Sequence, residues 1–373
     1  MNFKIRKKEF LDSISNAVRA ISSTTPLPAL SGIKFEAKEN SLVVISSDSN
    51  ISIRTIIKNT EKDTDILTVN ETGEVIIDAR YILEIVRKID SPFINFEIID
   101  GTLVKIYGAN SEFKINGMKG SEYPEINFSV SDNAFSIKTE AFFEIVNQTA
   151  FACAETDTRP ILTGVNFKAK EGILTINATD SYRLASKKVE IDSDLEFSIT
   201  IPNKHLSLIY HSLANVDDVM IVIDNQKISF VFNNTIVQTR LLDDVFPDTS
   251  KLIPLSFTQV LEIKAKELAN AIDRTSFIKS DGKNIVKLTI TAEEIDITSS
   301  NQIGSSYENV KLISFEGDPF EISCSGKYLM DAIKAIGSEN ITISFSGELR
   351  PLIITNKEDN SVVQLISPVR TYK

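Results

Sequence analysis

The chain has 373 residues, of which 42% are hydrophobic and 24% charged, values that are typical of globular proteins and exclude a disordered or collagen-like chain. This length predicts two or three domains, and the formal charge of −11 argues against a surface that binds nucleic acid throughout. No apolar run approaches the roughly 18 residues of a membrane span, and the N-terminus lacks a signal peptide, so we expect a cytoplasmic protein without membrane association.

The sequence pattern predicts helices and groups of strands in alternation along the chain. Six segments are predicted as helices, because apolar residues recur on one face of each. They cover residues 7–22, 80–90, 139–153, 203–214, 264–276 and 327–336. Runs of β-branched or alternating apolar residues predict strands, among them Leu42–Ser46, Ile51–Ile57, Phe93–Ile99, Leu103–Tyr107, Ile173–Ala178, Met220–Ile223, Ile228–Phe232, Ile285–Ile290, Ile341–Phe345 and Val362–Ile366. Helices on one face of mostly antiparallel sheet make an α+β fold.

The pattern repeats at a nearly constant interval. The apolar faces that begin at Ile82, Leu206 and Leu329 lie 124 and 123 positions apart. The interruptions Tyr123-Pro124-Glu125 and Phe246-Pro247-Asp248 are also 123 apart, and a helix could not continue through either. We interpret these intervals as an internal repeat rather than as chance similarity among α/β segments.

A second alignment supports the repeat. The ten residues from Pro28 match the ten from Pro160 at five positions, and Asp48 and Asp180 keep the same offset of 132. The third copy is fainter. Three repeated domains are therefore predicted, at residues 1–125, 126–250 and 251–373.

Positive charge is concentrated on the helices. The predicted helices carry a net charge of +3 over 77 residues, whereas the other 296 residues carry −14. Segment 139–153 departs from this pattern, since Glu140 and Glu144 give it −2. Either the helices carry ordinary solvated lysines and arginines, or they line one surface that faces a polyanion.

The sequence lacks the motifs of common catalytic sites. It has no Gly-rich phosphate loop, no zinc-ligand motif and no G-x-S-x-G nucleophile elbow. The acidic clusters Glu155-Thr156-Asp157 and Asp243-Asp244 could serve acid–base or Mg²⁺ chemistry, but such clusters are more often solvated loops. We therefore expect a protein that is not an enzyme and that uses no metal and no cofactor.

Several segments, in this order, resemble one protein family. They are Thr25-Pro26-Leu27-Pro28-Ala29-Leu30, Arg159-Pro160-Ile161-Leu162-Thr163-Gly164, Ala178-Thr179-Asp180-Ser181-Tyr182-Arg183-Leu184-Ala185, Phe246-Pro247-Asp248 and Ser367-Pro368-Val369-Arg370-Thr371-Tyr372. Together they resemble the bacterial replicative sliding clamps, the β subunits of DNA polymerase III holoenzymes. The resemblance covers the whole chain. It implies a head-to-tail homodimer of three-domain subunits, a ring of six domains around duplex DNA that tethers the polymerase and makes synthesis processive.

The resemblance also implies three sets of functional residues. A groove for short partner peptides is expected to contain Leu162, Thr179, Ser181, Tyr182, Arg183, Leu184, Pro247, Leu252, Pro368, Val369 and Arg370. An exposed pair, Phe277 and Ile278, is expected at the dimer interface, with burial in the third domain's own core as the alternative. Candidates for the wall of the DNA channel are Lys8, Arg19, Arg80, Arg87, Lys88, Lys204, Lys266 and Lys334.

The groove assignment also has an argument from the residues. At equivalent positions the first domain reads Ser47-Asp48-Ser49-Asn50-Ile51, and only the second places Tyr182, Arg183 and Leu184 together. Tyr and Arg are enriched at binding hot spots. The alternative is that Tyr182 and Arg183 brace the junction with the third domain.

The implied partners are double-stranded DNA, a second copy of the chain, the replicative polymerase, the clamp loader, repair polymerases, ligase and mismatch-repair proteins. The implied location is the cytoplasm, at the nucleoid during replication. Two other classes stay open on the sequence: a non-catalytic protein-binding repeat scaffold that does not encircle DNA, and an enzyme with an unrecognised carboxylate site.

Overall fold

A strand leads directly into a helix at six places in the described part of the chain. We describe a computed structural model, which covers residues 1–22, 24–61, 64–279 and 284–370. The elements of its first third are β1 (Asn2–Arg6), α1 (Lys7–Val18), β2 (Gly32–Lys38), β3 (Ser41–Ser47), β4 (Ile51–Lys58), β5 (Thr60–Glu61), β6 (Thr64–Asp65), β7 (Leu67–Glu71), β8 (Gly73–Asp78), α2 (Ala79–Lys88), β9 (Phe93–Asp100), β10 (Leu103–Gly108), β11 (Ser111–Asn116) and β12 (Met118–Lys119).

The other two thirds repeat this order with fewer strands. The central elements are β13 (Ala134–Lys138), α3 (Thr139–Thr149), β14 (Gly164–Lys170), β15 (Ile173–Thr179), β16 (Arg183–Glu190), β17 (Phe197–Pro202), α4 (Asn203–Ser212), β18 (Asp218–Ile223), β19 (Lys227–Phe232) and β20 (Thr235–Arg240). The last are β21 (Gln259–Lys264), α5 (Ala265–Thr275), β22 (Ile285–Ile290), β23 (Glu294–Ser300), β24 (Ser305–Lys311), β25 (Ser314–Glu316), β26 (Phe320–Ser325), α6 (Gly326–Ile336), β27 (Asn340–Phe345), β28 (Leu352–Thr355) and β29 (Val362–Ile366).

The chain forms two compact units, and the central third is divided between them. The first compact unit contains residues 1–139 and 205–241, and the second contains residues 140–204 and 242–373. The three-domain boundaries at 125 and 250 remain a prediction.

Each compact unit contains a nine-stranded antiparallel sheet that joins strands from two thirds of the chain. In the first unit the strand order is β12-β8-β2-β3-β4-β20-β19-β18-β13, and in the second it is β17-β14-β15-β16-β29-β28-β27-β21-β25. The strands that join the two halves are β4 with β20 and β16 with β29. A five-stranded sheet, β11-β10-β9-β1-β7, and a four-stranded sheet, β24-β23-β22-β26, contain strands of the first and the last third alone.

Apolar side chains that the sheets and helices share form the cores. Around β1, the rings of Phe3 and Phe96 stack with centroids 4.7 Å apart, and Phe10 meets Phe3 edge-on at 5.9 Å. Such aromatic geometry adds about 0.5–1.5 kcal/mol to what burial alone contributes. In the last third, Leu268 and Ile272 of α5 and Ile333 of α6 lie in one buried cluster. The predicted apolar faces of the helices are therefore the faces that pack on the sheets.

Helical periodicity located the helices but extended two of them too far. The predicted helix 7–22 ends at Val18, because the N–H groups of Arg19 and Ala20 bond to the third residue back instead of the fourth. The predicted helix 139–153 ends at Thr149, whose hydroxyl donates to the Ile145 carbonyl at 2.6 Å. Such side-chain bonds compete with the backbone pattern and weaken a helix there.

Candidate functional site

A tight turn in the central third carries the residues predicted for the groove. The Asp180 carboxylate accepts hydrogen bonds from the backbone N–H groups of Tyr182 (2.9 Å) and Arg183 (3.0 Å). The Thr179 hydroxyl donates to the Arg183 carbonyl at 2.5 Å and accepts from the Ser181 N–H at 3.1 Å. Ser181 is exposed at φ 78°, and Tyr182 keeps 66% of its surface exposed. The turn therefore projects one hydroxyl and one phenol ring into solvent.

The same turn recurs in the other two thirds, so the sequence repeat is also a structural one. In each copy one side-chain oxygen accepts two successive backbone N–H groups. The acceptors and donors are Asp48 with Asn50 and Ile51 (2.9 and 2.9 Å), and Asn301 with Ile303 and Gly304 (2.8 and 3.1 Å).

The Arg183 side chain lies in the interior, with only 5% of the residue exposed. Its guanidinium donates to the carboxylates of Asp180 (2.9 Å) and Asp331 (2.7 Å) and to the Phe151 carbonyl (2.6 Å). It also lies 4.4 Å from the centroid of the Tyr328 ring. Its burial leaves little of Arg183 for contact with a partner, and its role in the groove stays a prediction. These contacts join the central strands to helix α6, as the alternative interpretation expects.

Two groups around this guanidinium are held neutral at physiological pH. Burial, followed by the charge of Asp180, raises the pKa of Tyr328 to about 12. Burial also raises the pKa of the Cys153 thiol to about 12, although the Arg183 charge acts in the opposite direction. Neither group can serve as a base or nucleophile near neutral pH.

The segment after the last strand runs beside the Tyr182 turn. The Ser367 N–H donates to the Tyr182 carbonyl at 2.8 Å, and the Val369 N–H donates to the Ser323 carbonyl at 2.7 Å. Pro368 and Val369 are half-buried and Arg370 is exposed. The structure thus brings Ser181, Tyr182 and this segment together.

The remaining predicted groove residues divide into buried and exposed. Leu162 and Leu184 are buried, so they present little surface of their own. Pro247 is half-buried and Leu252 half-exposed, and both lie in segment 242–258. That segment also exposes Val245 and Leu255 almost completely, which sequence reasoning missed because the segment has no periodic pattern.

The basic residues predicted to face DNA fall into three groups. Arg80, Arg87 and Lys88 are exposed, but each is ion-paired on its own helix or helix cap, with Asp78 (3.1 Å) or Glu84 (2.7 and 3.3 Å). Arg19 is half-buried, and its Nε is enclosed. Four lysines are exposed and have no ion-pair partner in the described part of the chain: Lys8, Lys204, Lys266 and Lys334.

Of the two residues predicted at the dimer interface, one is exposed and the other is buried. Phe277 keeps 74% of its surface exposed, whereas Ile278 keeps 6%. The Ile278 carbonyl accepts hydrogen bonds from the Asn284 amide (3.1 Å) and the Ser299 hydroxyl (3.3 Å), which anchor this residue in its own unit. The expected exposure of Ile278 is therefore wrong, Phe277 is exposed as expected, and the interface role of the pair stays a prediction.

Comparison with known proteins identifies the family. Three family models match in succession: the N-terminal, central and C-terminal domains of the DNA polymerase III beta subunit, at residues 1–127, 136–248 and 250–370. The chain belongs to the DNA polymerase III beta subunit family.

Similar proteins support this membership over the full length. The beta sliding clamp of Bacillus subtilis (strain 168) is 37% identical over 378 residues, with all of both chains covered, and that of Staphylococcus aureus (strain Mu50) is 34% identical over 376 residues with the same coverage. Among solved structures, the B. subtilis DNA polymerase sliding clamp matches with a TM-score of 0.96 at 37% identity and full coverage. The DNA polymerase III beta chain of Streptococcus pneumoniae matches with 0.95 at 29% identity, covering 99% of this chain and 100% of that one.

Family membership establishes the general function. The chain is an α+β DNA sliding clamp of replication, a non-catalytic subunit that works with DNA and a DNA polymerase as a homodimer. The scaffold alternative is not favoured. In the described ranges no helix is long and apolar enough to cross a membrane, and no group of three acidic, His or Cys side chains is arranged to hold a metal ion.

Proposed function

We propose that two copies of this chain close head to tail into a ring of six domains that encircles duplex DNA and tethers the replicative polymerase. The observation that carries the proposal is that β11 and β24 each end a sheet in the described part of the chain. Their counterparts in the other thirds are paired. In the repeat, β20 is the counterpart of β11, and β4 is the counterpart of β24. These two strands, β20 and β4, pair with each other within the chain. One chain thus carries one free edge of each kind.

The repeat gives the register of the missing pairing. The hairpins β10–β11 and β19–β20 align through the pairs Gly108–Ser111 and Phe232–Thr235. The hairpins β3–β4 and β23–β24 align through Ser47–Ser52 and Ser300–Ser305. Since Gln238 pairs with Ser52, Lys114 is expected opposite Ser305 of the second copy. Since Ile236 pairs with Arg54, the same alignment places Glu112 opposite Tyr307 of the second copy.

An engineered disulfide tests this register. Lys114→Cys combined with Ser305→Cys should form an intermolecular disulfide, because Cβ atoms of directly opposed residues lie about 4.5–5.5 Å apart. The cross-linked species should have twice the 41.4 kDa chain mass and stay on nicked circular DNA in high salt until the DNA is linearised.

The matched control is Lys114→Cys combined with Tyr307→Cys, a diagonal pair about 7–8 Å apart that should cross-link far less. Cys153 and Cys324 are buried and contribute no background. Cross-linking of both pairs at equal rates, or release from the circle before linearisation, would contradict the closed ring.

The exposed surface formed by Ser181, Tyr182, Pro368 and Val369 is proposed as the groove for partner peptides. It combines an exposed aromatic ring with half-buried apolar residues, which is the composition of binding hot spots. We propose that Pro247 and Leu252 of segment 242–258 extend this groove, as the resemblance implies. Peptides of the polymerase, the clamp loader, repair polymerases, ligase and mismatch-repair proteins would bind there in turn, in the cytoplasm at the nucleoid.

A further inference from the structure

A cleft in the first compact unit is not explained by the clamp function. It has a volume of about 660 Å³, within the roughly 300–1,000 Å³ usual for ligand sites. Ser49, Asn50, Pro124, Gln226 and Arg240 lie along it.

This cleft is the repeat counterpart of the proposed peptide groove. Asn50 takes the place of Tyr182 in the recurring turn, and Ser49 at φ 80° matches Ser181 at φ 78°. A backbone hydrogen bond to each turn is also repeated. The Arg240 N–H donates to the Asn50 carbonyl at 2.9 Å, and the Ser367 N–H donates to the Tyr182 carbonyl at 2.8 Å.

The chemistry of the two sites differs at these equivalent positions. The cleft has an amide at Asn50 in place of the phenol ring, and a guanidinium at Arg240 in place of the Ser367 hydroxyl. Arg240 is exposed and has no ion-pair partner among the described residues. By contrast, the Lys227 ammonium donates hydrogen bonds to the carbonyls of Asn127 (3.0 Å) and Ser129 (3.3 Å).

The rest of the lining is mixed in character. Leu30, Pro124 and Ile126 supply a small apolar area, and hydroxyl and amide side chains supply hydrogen-bond donors and acceptors. Glu125 and Asp224 also lie at the cleft, so its charge is balanced and Arg240 is its available cation. Such a lining matches a peptide backbone better than an apolar helix.

We propose that this cleft binds a short, extended, polar peptide of a partner protein, with one aliphatic side chain near Pro124 and one carboxylate on Arg240. The choice of a peptide rests on the proposed role of the equivalent groove. The cleft itself is a separate site, because it contains none of the residues of the proposed groove, Ser181, Tyr182, Pro368 and Val369.

Isothermal titration of the full-length protein with the blocked peptide acetyl-Ser-Leu-Asp-Asn-amide tests the proposal. The Asp→Asn version of this peptide should bind about tenfold more weakly, because its side chain has no charge to pair with the guanidinium. Arg240→Ser, which copies the residue at the equivalent position, should reduce affinity for the acidic peptide by a similar factor and leave the amide version unchanged. Arg350→Ser removes an exposed arginine of the other unit and should change neither.

A Tyr182→Ala arm separates this proposal from the groove proposal. It should leave binding of the acidic peptide unchanged. If Tyr182→Ala abolishes binding while Arg240→Ser does not, the peptide occupies the other groove and the cleft proposal is wrong. Absence of saturable binding at about 10 mM peptide, or equal affinity for both peptides, would also overturn it.

Discussion

Arg183 and Tyr182 are adjacent in sequence but have opposite environments, so their substitutions should separate stability from binding. Arg183→Ala removes one member of a buried charge network and should lower the free energy of unfolding by about 3–5 kcal/mol. Tyr182→Ala removes a mostly exposed ring and should cost less than about 0.5 kcal/mol, yet it should abolish binding of a clamp-binding peptide from the polymerase.

Urea unfolding and isothermal titration on the same two variants make the comparison. Arg350→Ala, at an exposed arginine, is the control for loss of a guanidinium as such. A stable Arg183→Ala protein that no longer binds peptide would show that Arg183 acts in the groove and not mainly in stability.

The buried side chain of Lys187 makes part of the stability dependent on acid. Its ammonium lies 3.4 Å from an Asp359 carboxylate oxygen, and a hydrogen bond from Ser361, with the Lys187 charge, holds the pKa of Asp359 below its usual value. A depressed pKa stabilises the fold fully above the unfolded value of about 3.9, and the contribution is lost as the pH falls through the folded pKa.

Asp359→Asn should therefore be less stable than the native protein at pH 7, with a gap that narrows below about pH 4. Thermal unfolding from pH 7 to pH 3 measures the gap. Asp318→Asn, at an exposed carboxylate, is the comparison, and a gap that stays constant across this range would contradict the linkage.

At the scale of the helices, four exposed lysines have no ion-pair partner in the described ranges, unlike Arg80, Arg87 and Lys88. Changing Lys8, Lys204, Lys266 and Lys334 together to Gln should weaken retention on DNA and reduce its dependence on salt, by about 0.9 in the logarithmic slope for each phosphate that is no longer neutralised. Arg80, Arg87 and Lys88 changed together to Gln should have a smaller effect, since their charges are already paired.

Retention on nicked circular DNA across a salt series measures both variants. Equal slopes for the lysine variant and the native protein would mean that these helices do not face DNA.

Periodicity predicted these helices well because each has one wide apolar face, and it missed strands whose pattern is short. Strand β1 alternates with Phe3 and Ile5 buried, but its five residues pass directly into α1 and the helical pattern dominates. Contacts between residues far apart in the sequence also leave no pattern in the residues around them. Arg183 is separated from Asp331 by 148 positions, so its burial could not be read from the residues around it. The joining of β4 to β20 was inaccessible for the same reason.

At the scale of the whole molecule, the half-buried pair after α5 should separate assembly from folding. Phe277→Asp should weaken the dimer and leave monomer stability almost unchanged, because the ring is mostly exposed. Ile278→Ala should lower the free energy of unfolding by about 2–5 kcal/mol, since it empties a buried site.

Light scattering over a dilution series measures assembly and urea unfolding measures stability. Leu349→Asp replaces another exposed apolar residue of the same unit and should leave the dimer intact. An unchanged dimer for Phe277→Asp would place the interface elsewhere.

The outer edges of β11 and β24 also determine how the proposed ring would respond to dilution. Amide protons in β4 and β20 are bonded within one chain, so their exchange with deuterium depends only on local unfolding. In the proposed ring, the amide protons on the outer edges of β11 and β24 gain protection only when a second chain is present. Their exchange rates should therefore rise on dilution while the rates of the paired junctions stay constant. The same atoms that close the ring would report, residue by residue, how often it is open.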